Sequence, residues 1–139
     1  MTKPKPANPA LSISHPDLAS ALAQIGAEID HQPLRSSALA RIMRETFHGS
    51  DAGGAWDWRM AYDLMQAATV QVLLRGADAA GDIAAAKLLA SRLLTETRRS
   101  EQQIRLQQFS TPLPFSALAV RAAAVRKGET VLEPSAGTG

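Results

Sequence analysis

The sequence contains no cysteine, which excludes disulfides, thiolate nucleophiles and cysteine-held metals and permits a reducing compartment. Aromatic residues are scarce at 4%, with two tryptophans, one tyrosine and three phenylalanines. No apolar run approaches the roughly eighteen residues that a membrane-spanning helix needs, so a soluble cytoplasmic protein with no membrane partner is expected. The opening MTKPKPANPA lacks the apolar segment of a secretory signal, and residues 1–15 are read as a disordered lead-in. His15, His31 and His48 share no spacing with acidic residues that would hold a metal, so none is expected.

What is present is globular in composition. The 139 residues are 45% hydrophobic and 20% charged, enough for one ordinary domain or for a small domain followed by the start of another. Net charge is only +2, but it is unevenly placed. Between residues 92 and 127 stand Arg92, Arg98, Arg99, Arg105, Arg121, Arg126 and Lys127 against Glu96 and Glu101, an excess that could meet phosphates. Arg98 and Arg99 could equally complement the carboxyl end of a helix, and no single helix face collects these cations.

Periodicity predicts four helices over the first hundred residues. Leu18, Leu22, Ile25 and Ile29 form one stripe, from Asp17 to a stop near Pro33. Leu39, Ile42, Met43 and Phe47 form a second, with Ser36 or Ser37 as its cap and Gly49 as its stop. From Trp56 to Leu74 apolar residues occupy nearly every face, which marks a central helix ended by Gly76. A fourth helix is expected over residues 78–98, carrying Ala86, Leu89, Ala90, Leu93 and Leu94. Trp56, Trp58 and Tyr62 could stack on bases. On the most apolar helix they are read as core, Trp58 included. The pattern predicts a helical bundle over residues 16–99.

The register changes after Arg99. A polar stretch leads to Pro112 and Pro114, then Leu118, Ala122 and Val125 suggest a short helix ended by Lys127-Gly128. Residues 129–133, ETVLE, read as a short buried strand and PSAGTG as the turn leaving it, the opening of an α/β domain. A P-loop is excluded, because Pro134 and Leu132 stand where its first glycine would have to be. Only half of a dinucleotide fingerprint, Gly137-Thr138-Gly139, is present.

The residues around those glycines are more specific. Glu133-Pro134-Ser135-Ala136-Gly137-Thr138-Gly139 resembles motif I of class I S-adenosylmethionine-dependent methyltransferases, in the form typical of amino-methylating DNA enzymes. QQFSTP, residues 107–112, is similar to the segment that precedes the first helix of the cofactor domain in that family. The order and spacing agree, with one helix and a return between the two. The resemblance implies that Phe109, Ser110, Thr111 and Pro112 contact the methionine part of S-adenosylmethionine. It also implies that Glu133 orients the cationic end and that Pro134, Ser135, Ala136, Gly137 and Gly139 form the close-approach loop. Phe109 could instead dock the linker on the bundle.

Together with WDWRMAYDLMQAA and TRRSEQQIRLQQFSTP, these segments look like the amino-terminal part of bacterial proteins, often on mobile elements, that join such a methyltransferase to a strawberry-notch-type helicase. The resemblance implies a mainly α chain: a helical bundle, then residues 100–139 as the first helix and strand of a truncated methyltransferase domain. DNA is the implied partner, met by Arg98, Arg99 and Arg105, with adenine amino groups as targets. The sequence lacks the Asp/Asn-Pro-Pro-aromatic motif that would position such a group, so no catalytic residue is assigned and the fragment is expected to be inactive. The alternative is a helical nucleic-acid-binding or assembly module carrying a non-catalytic methyltransferase-like clamp.

Overall fold

The computed structural model describes residues 15–75, 82–96, 111–126 and 128–132. Among these the chain is helical: α1 (His15–His31), α2 (Ser36–Thr46), α3 (Trp58–Leu73), α4 (Ile83–Ala90) and α5 (Leu113–Ala123). The longest seam lies between α1 and α3, α2 packs on α1 and more lightly on α3, and α4 joins α3 to α5.

Periodicity explains the seams. Ala21, Ile25 and Ile29 of α1 are fully buried, with Leu18 and Leu22 packed at their margin. Gly26 faces α3, and a Cβ there would meet Val72 Cγ2 at 3.4 Å and the Ala68 carbonyl oxygen at 4.0 Å, ordinary contact distances. α2 buries Leu39, Ile42, Met43 and Thr46, four residues on one side of the helix. α3 buries Ala61, Tyr62, Leu64, Met65, Ala68, Thr69, Val72 and Leu73, as a helix contacted by α1, α2 and α4 must. The Thr69 hydroxyl returns to the Met65 carbonyl at 2.6 Å, so its burial leaves no polar atom unpaired.

Several boundaries differ from the sequence expectations for identifiable reasons. α2 is capped by Arg35 without a side-chain bond, rather than by Ser36 or Ser37. The preceding Leu34 is buried and its N–H bonds the Arg92 carbonyl at 2.9 Å, which fixes where the helix begins. At the other end His48, not Gly49, takes the left-handed conformation, with φ 53°. Gly49 is needed for close approach, because a Cβ there would lie 2.6 Å from that of Ala55. α3 starts at Trp58, where the Asp57 carboxylate accepts the Met60 N–H at 2.7 Å and so satisfies one of the unpaired amides of the first turn. Gly76, the expected stop, lies outside the described residues.

α4 is shorter than expected, starting at an Asp82 cap whose carboxylate accepts from Ala85 N–H at 2.9 Å. It stops because Ser91 and Arg92 are drawn elsewhere. The Ser91 hydroxyl donates to the Leu88 carbonyl at 2.7 Å. Arg92 turns onto the end of α1, and its Nη1 donates to the carbonyls of Ile29 at 3.0 Å and Asp30 at 2.6 Å. These are carbonyls that the last turn of a helix cannot satisfy by itself. Arg92→Met keeps the apolar stem and removes the donors, so a loss of about 1–3 kcal/mol is expected, read as a lower urea midpoint at unchanged slope.

The carboxyl end departs most from expectation. The short helix expected from Leu118, Ala122 and Val125 is present, but all three residues are exposed, Val125 lies beyond its end, and Ala117 is the buried residue. The helix ends at a left-handed Ala124, φ 49°, and Gly128, φ 91°, serves a separate turn closed by Glu129 N–H to Arg126 carbonyl at 3.1 Å. Residues 129–132 of the expected buried strand are irregular and exposed, Leu132 by 88%. A strand needs a neighbouring strand for its amides and carbonyls, and among the described residues none lies alongside.

Candidate functional site

Of the residues expected to hold the cofactor, two are described. Pro112 caps α5 and its carbonyl accepts from Phe115 N–H at 2.9 Å and Ser116 N–H at 3.2 Å. Thr111 precedes it and is exposed. Phe109, Ser110, Glu133, Pro134, Ser135, Ala136, Gly137 and Gly139 lie outside the described residues, as do the candidate DNA contacts Arg98, Arg99 and Arg105.

The aromatic cluster resolves into two roles. Trp56 is buried, and its Nε1 donates to the Gly49 carbonyl at 3.0 Å. Trp58 packs against the core at its margin and is partly exposed, less enclosed than the expected core position; it meets Trp56 edge-on at 5.6 Å and Tyr62 at 5.7 Å. Its Nε1 donates to Asp51 Oδ2 at 3.1 Å, closing the loop ahead of α3. With Trp56 and Tyr62 enclosed, the cluster offers no stacking platform.

A shallow groove of about 360 Å³ between α1 and α2 is lined by Gln24, Glu28, His31, Gln32, Arg41 and Ile42, among others. Its polar groups are largely committed to one another. Arg41 reaches Glu28 at 3.4 Å and Glu45 at 3.2 Å, Gln32 donates to Glu28 at 2.6 Å, and Gln24 donates to Ser20 at 3.1 Å. No group of His, Asp and Glu among the described residues could hold a metal ion.

On the far side of α3, Asp63 lies near Glu96, which accepts a hydrogen bond from Gln66. Burial holds the Asp63 carboxyl above its ordinary value; Arg59 at 3.9 Å opposes this, while Glu96 and Asp57 add to it. The sign follows directly: between the unfolded and the higher folded value the native state binds the extra proton, so its contribution to stability is lost as pH rises through that window. Asp63→Asn is therefore expected to flatten the gain in melting temperature that acidification into that window gives the parent chain. A parallel pH profile for the two proteins would refute this.

The charges separate by sign. Each of the ten described carboxylates is engaged: Asp17 and Asp51 interact within the chain, Glu28 and Glu45 with Arg41, Asp30 with Arg75, Asp63 with Arg59, and Glu96 with Gln66. Asp57, Asp82 and Glu129 accept from the backbone N–H of Met60, Ala85 and Arg126. Arg35, Arg44, Lys87, Arg121 and Arg126 are exposed and have no ion-pair or hydrogen-bond partner for their side chains among the described residues. Among the described side chains of Asp, Glu, Lys and Arg, the charge left without a partner is positive. Arg92, counted at first with the basic stretch, is spent on α1 instead. Arg35, Arg44 and Lys87 escaped the sequence reading, although a signal was available: paired Arg41 and Arg59 have an acid four residues on, and these three have none.

Comparison with protein-family models, curated proteins and solved structures finds no match for this chain. Among the described residues, no helix is long and apolar enough to cross a membrane.

Proposed function

We propose that the chain is the amino-terminal part of an S-adenosylmethionine-dependent DNA methyltransferase, joined in its parent to a helicase, with the helical body on the DNA side. The observation that carries this reading is the order QQFSTP, helix, EPSAGTG. α5 supports it by occupying the interval between the two segments, with Pro112 as its cap. In this reading Phe109, Ser110, Thr111 and Pro112 line the methionine part of the cofactor. Glu133 faces its ammonium, and Gly137 and Gly139 admit it because they carry no Cβ. S-adenosylmethionine supplies the methyl group, and the groups that position the target amine are assigned to the parent rather than to these residues.

The five unpartnered cations favour a second reading, a nucleic-acid-binding helical module with a non-catalytic clamp. The two separate experimentally. In the first reading the reading frame beyond Gly139 encodes an Asp/Asn-Pro-Pro-aromatic motif, and the longer protein binds S-adenosylmethionine in a calorimetric titration. Gly137→Val abolishes that binding and Glu133→Gln weakens it with the fold intact. The 139-residue chain itself, lacking an acid for the ribose, is expected to bind the cofactor poorly. Undiminished binding by the Gly137→Val parent would overturn the cofactor assignment. Absence of any salt-dependent binding of duplex DNA by the 139-residue chain would overturn the module reading.

A further inference from the structure

Six of the eight large apolar side chains exposed among the described residues fall between positions 115 and 132: Phe115, Leu118, Val120, Val125, Val131 and Leu132. α5 gives the body little more than Ala117 and the edge of Leu113. At about 100° per residue, Phe115 and Ala122 fall on the side of the helix away from Ala117 and Leu118 on the flank beside them. This is a second apolar stripe, and nothing described covers it. Contiguous exposed apolar surface of this kind marks an interaction site.

The rim of the stripe says what would cover it. Arg121, three residues on from Leu118, borders it, and Arg126 follows just beyond the helix. Both are exposed and unpartnered, and the one described carboxylate between 113 and 132, Glu129, is held by the Arg126 backbone N–H at 2.8 Å. We propose that this face docks onto a protein surface with an apolar centre and a rim of carboxylates. The inference uses only α5 and the charges beside it, and it competes with the methyltransferase reading, in which the rest of the cofactor domain would cover this face.

Other occupants fit less well. A second copy would bring the same cationic rim against this one, and the one described carboxylate beside the stripe, Glu129, is held by the Arg126 backbone N–H. Nucleic acid would gain one aromatic ring, Phe115, beside aliphatic side chains on which bases do not stack. A bilayer surface would meet a helix of eleven residues with a single arginine, less than stable anchoring takes.

The test uses the intact 139-residue chain and two labelled amphipathic helical peptides with the same leucine stripe, one flanked by glutamates and one by lysines, followed by fluorescence anisotropy. The glutamate peptide is expected to bind roughly tenfold more tightly than the lysine peptide, the difference that two rim ion pairs supply, and added salt narrows the gap. Phe115→Ser/Leu118→Ser removes binding of both with the circular dichroism unchanged, because both side chains are exposed. Arg121→Glu/Arg126→Glu reverses the preference. Equal binding of the two peptides, binding of neither, a concentration-dependent dimer in sedimentation, or displacement of the glutamate peptide by duplex DNA or anionic phospholipid vesicles would each overturn the proposal.

Discussion

Trp56→Ala is expected to destabilise the chain by about 3–5 kcal/mol, the range for deleting a large aromatic from a packed interior. Trp58→Ala is expected to cost clearly less. The two indoles are two residues apart and touch, yet only Trp56 is enclosed, at 2% exposure. Its ring is held edge-on to Trp58 and by the Nε1 donor to the Gly49 carbonyl, so alanine removes apolar contact and leaves that carbonyl without its partner. The site has little room to collapse. The loop around it is closed by Ala55 N–H to Ser50 carbonyl at 3.1 Å and by the close approach of Gly49 to Ala55. Trp58 packs at the margin of the core and is partly exposed, and its bond to Asp51 is exposed. Urea unfolding of both variants decides the matter: a Trp58→Ala loss equal to or larger than that of Trp56→Ala would show that the wrong indole has been placed inside.

The helices of the body were legible because their stripes are long and their partners lie close in the chain. α1 and α2 form a hairpin across residues 32–35, and the apolar spacing of each defines its inner face without further information. What sequence did not show was where tertiary contacts cut helices short. Arg92 reads as one more cation in a basic stretch, and only the approach of α1 reveals it as a cap for Ile29 and Asp30. Gly49 reads as a helix stop, whereas its use is the contact with Ala55, a neighbour that no local rule names. The strand at 129–132 failed as an expectation for the same reason: a short apolar run is compatible with a strand, but pairing decides it. The candidate cofactor loop was legible only through resemblance, and apart from Thr111 and Pro112 its residues lie outside those described.

Two stripes that look alike in sequence ought to separate in the laboratory. Leu18, Leu22, Ile25 and Ile29 recur at helical spacing, and so do Leu118, Ala122 and Val125. In the fold, Ile25 has no exposed surface, on α1, whose longest seam is with α3. Leu118 is 50% exposed on the flank of α5. Ile25→Ala is therefore expected to cost about 2–5 kcal/mol, lost methylenes plus a cavity that two helices joined along their length cannot close. Leu118→Ala is expected to cost clearly less, under about 1 kcal/mol, because half of the side chain's surface is already in water and no enclosed cavity is left. Both are read from urea midpoints at a common slope. Equal losses would mean that α5 buries its outer stripe in the free chain, and a small loss at Ile25 would mean that the α1–α3 seam is not the centre of the core. The pair thus separates a stripe that holds the body together from one that is spare for a partner.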